Sequence, residues 1–293
     1  MAIEAVQHIR RMRGGAQSHL MRAADRHFYV VKFQNNPQHT KVLANELLAT
    51  RLAQYVGLPA PATEIIQVND WLIQNTPELR MEGAGSSALC KSGLQFGARF
   101  VCDPDDGQVF DYLPESMFER VKNRETFAGM LALDKWLGNA NGRQAVFWKK
   151  NGERKYRVTF IDQGYCFNAG EWTFPDLALH GVYYRNFVYQ HVKGWESFDP
   201  WLSRIEDFSP KTIQEIAGMI PPVSTTRRRR PFQLASPYRR SRVMPGSSPT
   251  IARRDPTRRL KSVDLPTLGL PTMASKGSRV FAIVSGNQSS CGG

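Results

Sequence analysis

The chain has 293 residues, of which 41% are hydrophobic, and carries a formal net charge of +13 at pH 7. This composition excludes a fibrous or wholly disordered protein and predicts a globular one with one large core or two modest cores. No apolar run approaches the roughly 18 residues of a membrane span, and the N-terminus lacks a signal peptide. We therefore predict a cytoplasmic protein without a membrane partner. The four cysteines are scattered without metal-ligand spacing, which favours free thiols.

The positive charge is concentrated in segment 221–293. This segment has 14 Lys and Arg residues against Asp255 and Asp264, which leaves 25 basic and 24 acidic residues in the rest of the chain. It has neither helical nor strand periodicity, and a basic segment rich in Ser and Pro is typical of disorder. Two explanations stay open, a native disordered arm and a reading-frame change that replaced the native C-terminus. Nucleic-acid binding is predicted only through this tail.

Residues 1–78 are predicted to form a β-rich unit. Two strands flank the Gly-Gly turn of "RRMRGGAQSHL", and a polar turn leads to a third strand, "HFYVVKF". The segment "TKVLANELLATRLAQYV" has apolar residues at helical spacing and ends at Gly57 with prolines beyond, which predicts an amphipathic helix. "ATEIIQV" and "WLIQN" are predicted as strands that complete an antiparallel sheet.

Residues 79–220 are predicted to be mostly helical. The helical segments are "SMFERV", "ETFAGMLALDKWLG", "PDLALHGVYYRNFVYQHV" and "SPKTIQEIAGMI". One β-hairpin, "QAVFWKKNGERKYRVTFID", interrupts them, with its turn at residues 150–153. A β-rich N-lobe followed by a mostly helical C-lobe predicts the α+β fold class and a bilobal, protein kinase-like architecture.

Lys32 is the first candidate for chemistry, because it lies in an apolar strand where it shares a face with Val30. A lysine there needs an anion to offset its desolvation. Glu46, on the following helix, is such a partner, and a strand lysine paired with a helix glutamate holds nucleotide phosphates in kinases. The alternative is a solvent-facing lysine on an edge strand. The Gly14–Gly15 turn likewise has two interpretations, a phosphate-binding backbone or an ordinary hairpin turn.

Asp162 ends the apolar strand "VTFID", 21 residues after Asn141. Kinases place the carboxylate that holds Mg²⁺ at such a strand end. The alternative is an aspartate that caps a turn. The glycine turn, Lys32, Glu46 and Asp162 follow one another in the order found in kinases. Together they indicate a kinase-like site more strongly than each does alone.

These motifs resemble the short HipA-like kinase family, within the wider protein/lipid kinase-like superfamily. The resemblance extends over residues 6–220 and rests on "GGAQ", "VVKF", "NELLATRLAQYVGLPAP", "WLGNANGRQAVF" and "VTFIDQGYCFNAGEWTFPD". It implies that Lys32 contacts ATP phosphates, that Glu46 orients Lys32 and that Asp162 binds Mg²⁺. It also implies a turn that covers the phosphates, formed by Gly14, Gly15, Ala16 and Gln17.

The turn "GNANGRQAV" departs from the family. HipA-type kinases have a motif that resembles "GNTD" at this turn, with the Asp as catalytic base. In this chain the position of that Asp is Asn141, and the position of the downstream metal-binding Asn is Val146. The candidate substitutes are Gln144, Asn139 and Asp134. Asp134 lies about two helical turns before Asn141, roughly 10 Å along the axis, so pairing with Arg143 or Lys135, or capping of a neighbouring element, is its favoured role.

We therefore predict an ATP/Mg²⁺-binding, HipA-like kinase that transfers phosphate to a protein or small-molecule hydroxyl. The first alternative is a nucleotide-sensing pseudokinase, because amides do not titrate and cannot act as general bases. The second is a basic nucleic-acid-binding protein that acts through the tail. Lys32 is expected to pair with ligand and not with the protein core, so that its removal would leave the stability of the free protein little changed.

Overall fold

A computed structural model describes residues 1–39, 41–83, 85–175 and 177–221. Strands in this part of the chain are β1 Ile3–Arg11, β2 His19–Ala23, β3 Phe28–Lys32, β4 Thr63–Val68, β5 Arg80–Gly83, β6 Ser86–Leu89, β7 Gly93–Arg99, β8 Gly107–Phe110, β9 Gln144–Lys150 and β10 Arg157–Ile161. The α-helices are α1 Val42–Tyr55, α2 Asp70–Gln74, α3 Thr126–Leu137, α4 Trp201–Glu206 and α5 Pro210–Gly218. Short 3-10 helices cover Glu115–Arg120, Asn186–Tyr189 and Trp195–Phe198.

Five strands close into a barrel in the order β1–β2–β3–β7–β4. Neighbours are antiparallel except β1 and β4, which run parallel through the short pairing of Ile3 with Ile66. The predicted antiparallel sheet is therefore correct in its first three strands and in β4. Strand β7 lies beyond residue 78, the predicted end of the β-rich unit, and yet it pairs with both β3 and β4.

The second part of the chain is organised around α3 and a three-stranded sheet in the order β10–β9–β8. The predicted hairpin is present, with β9 and β10 antiparallel and Phe147 opposite Val158. Helix α3 is apolar on nearly all sides and is buried along its length, as such a sequence requires. Gly129 allows the close approach of α4, because a Cβ at this position would lie 2.2 Å from the Trp201 ring.

Two apolar cores hold these parts. One fills the barrel and includes Val31, Phe33 and Ile66. The other surrounds α3 and includes Phe127 and Phe160, together with residues of α1. Burying side chains of this size stabilises a fold by roughly 1.5–3 kcal/mol each before the entropy cost of ordering the chain is subtracted. Helix α1 therefore joins the second core while its other side faces the barrel strands β4 and β7.

Several predicted elements are wrong. "WLIQN" is not a strand but lies largely in the short helix α2, because the Asn69 side chain accepts a hydrogen bond from the Leu72 N–H and caps a helix start. "PDLALHGVYYRNFVYQHV" is not a helix: Gly181 has a φ of 73°, a value that interrupts helical geometry, and only Asn186–Tyr189 forms a 3-10 turn. The helix predicted at "SMFERV" is present, as the 3-10 helix Glu115–Arg120. Strands β5 to β8 were not expected from the sequence pattern.

Three cysteines in the described residues are free thiols, as their spacing indicates: Cys90, Cys102 and Cys166. None of the helices in the described part of the chain combines the length and the apolar character that a bilayer span requires. The predictions for the tail, disorder and nucleic-acid binding, concern residues 222–293, which lie outside the described residues.

Candidate functional site

Strand β3 presents Lys32 to a cleft beside the barrel. Alternate residues Tyr29 and Val31 are buried in the barrel core, whereas Val30 and Lys32 both line a cavity of about 290 Å³. This is the alternation that the sequence predicts for a strand with one face on a core. Lys32 is itself only 7% exposed, so its ammonium group needs partners within the protein or in the cleft.

Two carboxylates provide those partners. The Lys32 Nζ donates to Glu46 on α1, and it donates to Asp162 Oδ1 at 2.7 Å. Glu46 also accepts the Gln163 N–H at Oε2, 3.1 Å away, so the helix is attached to the chain just after Asp162. The predicted pairing of Lys32 with Glu46 is present. The protein itself supplies two counter-charges to Lys32, and the pairing of Lys32 with a ligand stays a prediction.

Burial and charge compete at these groups. Burial raises the pKa of Glu46 to about 7, against the attraction of Lys32. Burial also opposes the charge on Lys32, but the two carboxylates outweigh it and raise the pKa of Lys32 above its ordinary value. At Asp162 burial is again the largest single influence, yet Lys32, hydrogen bonds and Arg143 together hold its pKa below the ordinary range. Asp162 is thus the carboxylate kept ionised at the cleft.

The glycine turn forms one wall of the same cavity. Gly14 has a φ of 118°, which an L-residue rarely adopts, and its carbonyl accepts the Gln17 N–H at 3.1 Å. Gly14, Gly15 and Ala16 line the cavity. A Cβ on Gly14 would meet nothing within 4 Å, so there is open space beside this residue of the turn.

Gln17, the fourth residue predicted for this turn, faces elsewhere. Its side chain exchanges hydrogen bonds with the backbone of Glu82 on β5, donating at 2.6 Å and accepting at 2.7 Å, and it accepts from Arg11 at 2.8 Å. Gln17 does not line the cavity. Its side chain therefore fixes the turn to the β5–β6 hairpin.

Asp134 and Asn139 form a buried network below the amide-rich turn. Both residues are 0% exposed. Asp134 Oδ2 and Oδ1 accept from Arg143 Nε and Nη2 at 2.8 and 2.6 Å, and Oδ1 also accepts from Asn139 Nδ2 at 2.9 Å. The favoured pairing of Asp134 with Arg143 is thus present. Neither Asp134 nor Asn139 lines the cavity, so neither is placed to contact a ligand there.

Asn141 and Gln144 lie on the cleft side of the turn. Both line the cavity. The side-chain oxygen of Asn141 accepts the backbone N–H of Gly142 at 2.9 Å. The backbone N–H of Asn141 donates to Asn139 Oδ1 at 3.1 Å. Gln144 Nε2 donates to Asp162 Oδ2 at 2.7 Å. Since amide O and N atoms are interchangeable by a flip of the side chain, Gln144 can present either a donor or an acceptor to this carboxylate and its surroundings.

Arg143 connects the two groups of residues. Besides its contacts with Asp134, its Nη1 donates to the Ile161 carbonyl at 2.6 Å, immediately before Asp162. Opposite charges and shared hydrogen bonds raise the pKa of Arg143 despite its complete burial. The turn that carries Asn141 and the strand end that carries Asp162 are therefore held at a fixed separation.

Sequence reasoning missed much of the cavity wall. Gln38 lies beside the glycine turn, with its Nε2 3.8 Å from the position of a Cβ on Gly15. An apolar slot was also missed, and it is formed by Val30, Pro61, Ala98, Val101, Val109, Val146 and Ile161. The alternation of β3, β9 and β10 could have identified the residues of those strands, whereas Ala98 and Val109 required strands β7 and β8, which the pattern did not reveal.

A lysine with two carboxylates, a glycine turn and an apolar slot in one cleft are features of nucleotide-binding kinases. The chain is similar to the crystal structure of the Helicobacter pylori proinflammatory kinase CtkA, with a TM-score of 0.50 and 14% identity over 76% of this chain and 89% of that chain. The protein therefore has an α+β, kinase-like fold. The family model described as HipA-like kinase matches residues 5–146, which agrees with the resemblance that the motifs indicate and supports a kinase-like function.

Further solved structures are more distant. A Golgi casein kinase has a TM-score of 0.42 and 12% identity, over 74% of this chain and 64% of that chain. Hydra Fam20, solved with sugar, has a TM-score of 0.43 and 11% identity, over 75% of this chain and 78% of that chain. A search of curated proteins finds no match to the sequence.

Proposed function

We propose that the protein binds ATP and Mg²⁺ and transfers the γ-phosphoryl group to a hydroxyl of a protein or small molecule. The observation that carries this proposal is the convergence of Lys32, Glu46 and Asp162 beside the Gly14–Ala16 turn in one cavity. In this arrangement, a positive charge and open backbone face the same space as an ionised carboxylate. We also propose a bilobal organisation, with the β-rich N-lobe and the helical C-lobe on either side of this cleft.

The residues of the cavity fit a nucleotide. The apolar slot around Val30, Ala98 and Ile161 suits a planar base, and the open space at Gly14 leaves room for phosphate oxygens against the turn. Lys32 would exchange one of its carboxylate contacts for phosphate, while Glu46 keeps its side chain directed into the cleft. The nucleotide would thus be bound through charge at one end and through apolar surface at the other.

The donors at Asp162 also fit Mg²⁺. This ion is usually bound by one or two carboxylates together with substrate phosphates, and the Asp162 side chain lies at the cavity with 17% of its surface exposed. Asp162 would hold the ion, with Gln144 as a neutral neighbour. When bound, Mg²⁺ would neutralise charge on the phosphates.

Asn141 would orient the acceptor. In the transfer, the hydroxyl oxygen bonds to the γ-phosphorus, the bond from phosphorus to the β–γ bridging oxygen breaks, and ADP leaves. The hydroxyl proton passes to water or phosphate, because a neutral amide hydrogen-bonds but does not take up a proton. Phosphoryl transfer depends mainly on positioning and charge stabilisation, so a weak base is compatible with activity.

A pseudokinase is the second candidate, and the amide at position 141 is the observation that favours it. The test is a calorimetric titration of the full chain with ATP and Mg²⁺, followed by transfer of labelled γ-phosphate to an acceptor or to the protein itself. Binding with transfer supports the kinase, and binding without transfer supports the pseudokinase. If ATP does not bind at all, both proposals are wrong.

A further inference from the structure

Three stretches of chain meet beside the catalytic turn. Strand β8 is antiparallel to β9 with Phe110 opposite Phe147, and Tyr112 follows two residues after the end of β8. The segment 177–185 approaches from the other side. Its Gly181 N–H donates to the Asn141 carbonyl at 2.9 Å, and the Arg143 N–H donates to the Val182 carbonyl at 3.1 Å.

An arginine lies between two tyrosines at this junction. The Arg185 guanidinium carbon is 4.1 Å from the centre of the Tyr112 ring and 5.4 Å from the centre of the Tyr184 ring. Its Nη1 also donates to the Tyr112 hydroxyl at 3.0 Å. Ring faces hold a guanidinium group in one orientation without neutralising its charge. We name Tyr112, Tyr184 and Arg185 the tyrosine–arginine platform.

Arg185 differs from other arginines that have acidic partners. Arg11, Arg124, Arg143 and Arg157 each have a carboxylate within 4.0 Å. Among the residues that the structure describes, Arg185 has none within that distance. Asp111 and Glu115 flank Tyr112 in the sequence, and Glu115 instead accepts from Gln190 at 3.3 Å. The positive charge of Arg185 is therefore available to a partner from outside.

Exposed apolar side chains occur in the platform and in the chain segment that leads to it. Tyr184 is 66% exposed and Tyr112 is 44% exposed, and Leu177 and Leu179 in the preceding segment are 50% and 59% exposed. Lys135 of α3 donates to the Leu177 and Ala178 carbonyls at 2.7 Å, so the backbone that carries these leucines is held to the helix. Exposed apolar side chains together with a guanidinium group that has no carboxylate partner fit a polypeptide better than a small polar molecule.

We propose that the tyrosine–arginine platform binds the phosphate acceptor, and that this acceptor is a polypeptide with acidic and apolar side chains close to its hydroxyl residue. The inference rests on the proposed function, because it places the acceptor beside Asn141. Arg185 would pair with a carboxylate of the peptide while its apolar side chains contact Tyr184 and the leucines. The pairing would set specificity, since it penalises a basic peptide at the same position.

The test uses the full chain and two short fluorescent peptides, each with one central serine and leucine flanks. One peptide carries glutamates and the other carries lysines in their place. Fluorescence anisotropy gives the Kd of each peptide, with and without a non-hydrolysable ATP analogue. The variants are Arg185→Ala and Arg185→Glu, and the matched control is Arg154→Glu, which changes an exposed arginine in the turn between β9 and β10.

The wild-type protein is expected to bind the acidic peptide more tightly than the basic one. Arg185→Ala should weaken binding of the acidic peptide by about tenfold, and Arg185→Glu should reverse the preference, because the guanidinium is the group that recognises the carboxylate. Arg154→Glu should keep the wild-type preference. Calorimetry with ATP should give the same affinity in all four proteins, because Arg185 lies outside the nucleotide cavity.

Two peptide-binding results would overturn the inference. One is an acidic peptide that binds equally well to wild type and to Arg185→Glu, and the other is the absence of binding of either peptide. The proposed function is tested separately by the ATP titration, so that ATP binding without peptide selectivity would refute the platform alone. Transfer of phosphate to a small hydroxylated molecule, with neither peptide bound, would likewise exclude a polypeptide acceptor at this surface.

Discussion

Asp134 and Asp162 belong to two neighbouring networks that treat a carboxylate differently. Asp134 lies within α3, is fully buried, and has both oxygens occupied by Arg143 and Asn139. Asp162 follows β10, pairs with Lys32 and Gln144, and retains a surface on the cavity. A charge that is fully paired by its own protein can only support the structure. A charge that is paired on one side and exposed on the other can also bind a ligand.

We expect the largest effect on ligand binding and activity from Asp162→Ala. Loss of the Asp162 carboxylate should reduce Mg²⁺-dependent ATP binding and phosphate transfer by more than about 100-fold, because Glu46, the other carboxylate at the cavity, is already bound to Lys32 and to the Gln163 N–H. Calorimetry with and without Mg²⁺ measures the effect. The control is Asp105→Ala, at an exposed position between β7 and β8. Retention of Mg²⁺-dependent binding in Asp162→Ala would show that the metal ligand lies elsewhere.

Asp134→Asn should act on stability. Removing one charge of a buried ion pair leaves Arg143 uncompensated, so we expect a loss of about 3 kcal/mol in the free energy of unfolding. ATP affinity should be unchanged in the protein that remains folded. Urea denaturation and calorimetry at low temperature measure the two quantities, and Asp105→Asn is the matched exposed control, with an expected change within about 0.5 kcal/mol. A protein of normal stability that has lost phosphate transfer would identify Asp134 as the catalytic base.

Asn141→Asp adds a third carboxylate, on the cleft side of the turn, which can be compared with Asp134 and Asp162. The new carboxylate is a proton acceptor at the position of the Asp in the "GNTD"-like motif described above. We expect phosphate transfer to be preserved or to rise by up to about tenfold. Labelled γ-phosphate transfer at constant ATP and Mg²⁺ measures the rate. A fall in rate without loss of ATP binding would mean that the neutral amide itself is required there.

The smallest expected effect is the dependence of the unfolding free energy on pH that arises from His19. The stabilities of these variants should be compared against this dependence. His19 is buried in the barrel beside His8 and Arg11, and burial together with these neighbours lowers its pKa to about 4. Between pH 6.5 and about 4 the unfolded chain binds a proton that the folded protein does not, so stability is lost as the pH falls through this range. His19→Gln should flatten that part of the curve of unfolding free energy against pH. An unchanged slope would mean that His19 does not titrate differently in the two states.

Local patterns indicated the candidate residues, and the order of elements found in kinases selected their interpretation. The alternation of "FYVVKF" put Lys32 on one face with Val30 but left a solvent-facing lysine open, and the lysine–glutamate pair of kinases indicated Glu46. The apolar strand "VTFID" ends at Asp162, and the structure brings the three residues to one cavity. A hydrophobic period fixes the face on which a polar residue lies, but not its role.

The remaining features depend on contacts between distant parts of the chain. Strand β7 completes the barrel through pairing with β3 and β4, which no local pattern encodes. The segment that contains Gly181 has apolar residues at roughly helical spacing, and yet its Gly181 N–H donates to the Asn141 carbonyl and its Val182 carbonyl accepts the Arg143 N–H, contacts that do not belong to a helix of its own. Gln17 could not be separated from its neighbours in the turn, because its partner Glu82 is 65 residues away.

Asn45 stands next to Glu46 on α1, and its side-chain amide nitrogen donates to the carbonyls of Gly164, Cys166 and Ala169 at 2.8 to 2.9 Å, while its oxygen accepts from Trp172 at 3.0 Å. The amide nitrogen has two hydrogens, so it shares them among the three carbonyls. Through this one side chain, the helix that carries Glu46 is attached to residues 164–172, the chain that directly follows Asp162. Moving α1 away from that chain would require breaking these contacts together with the hydrogen bond from the Gln163 N–H to Glu46.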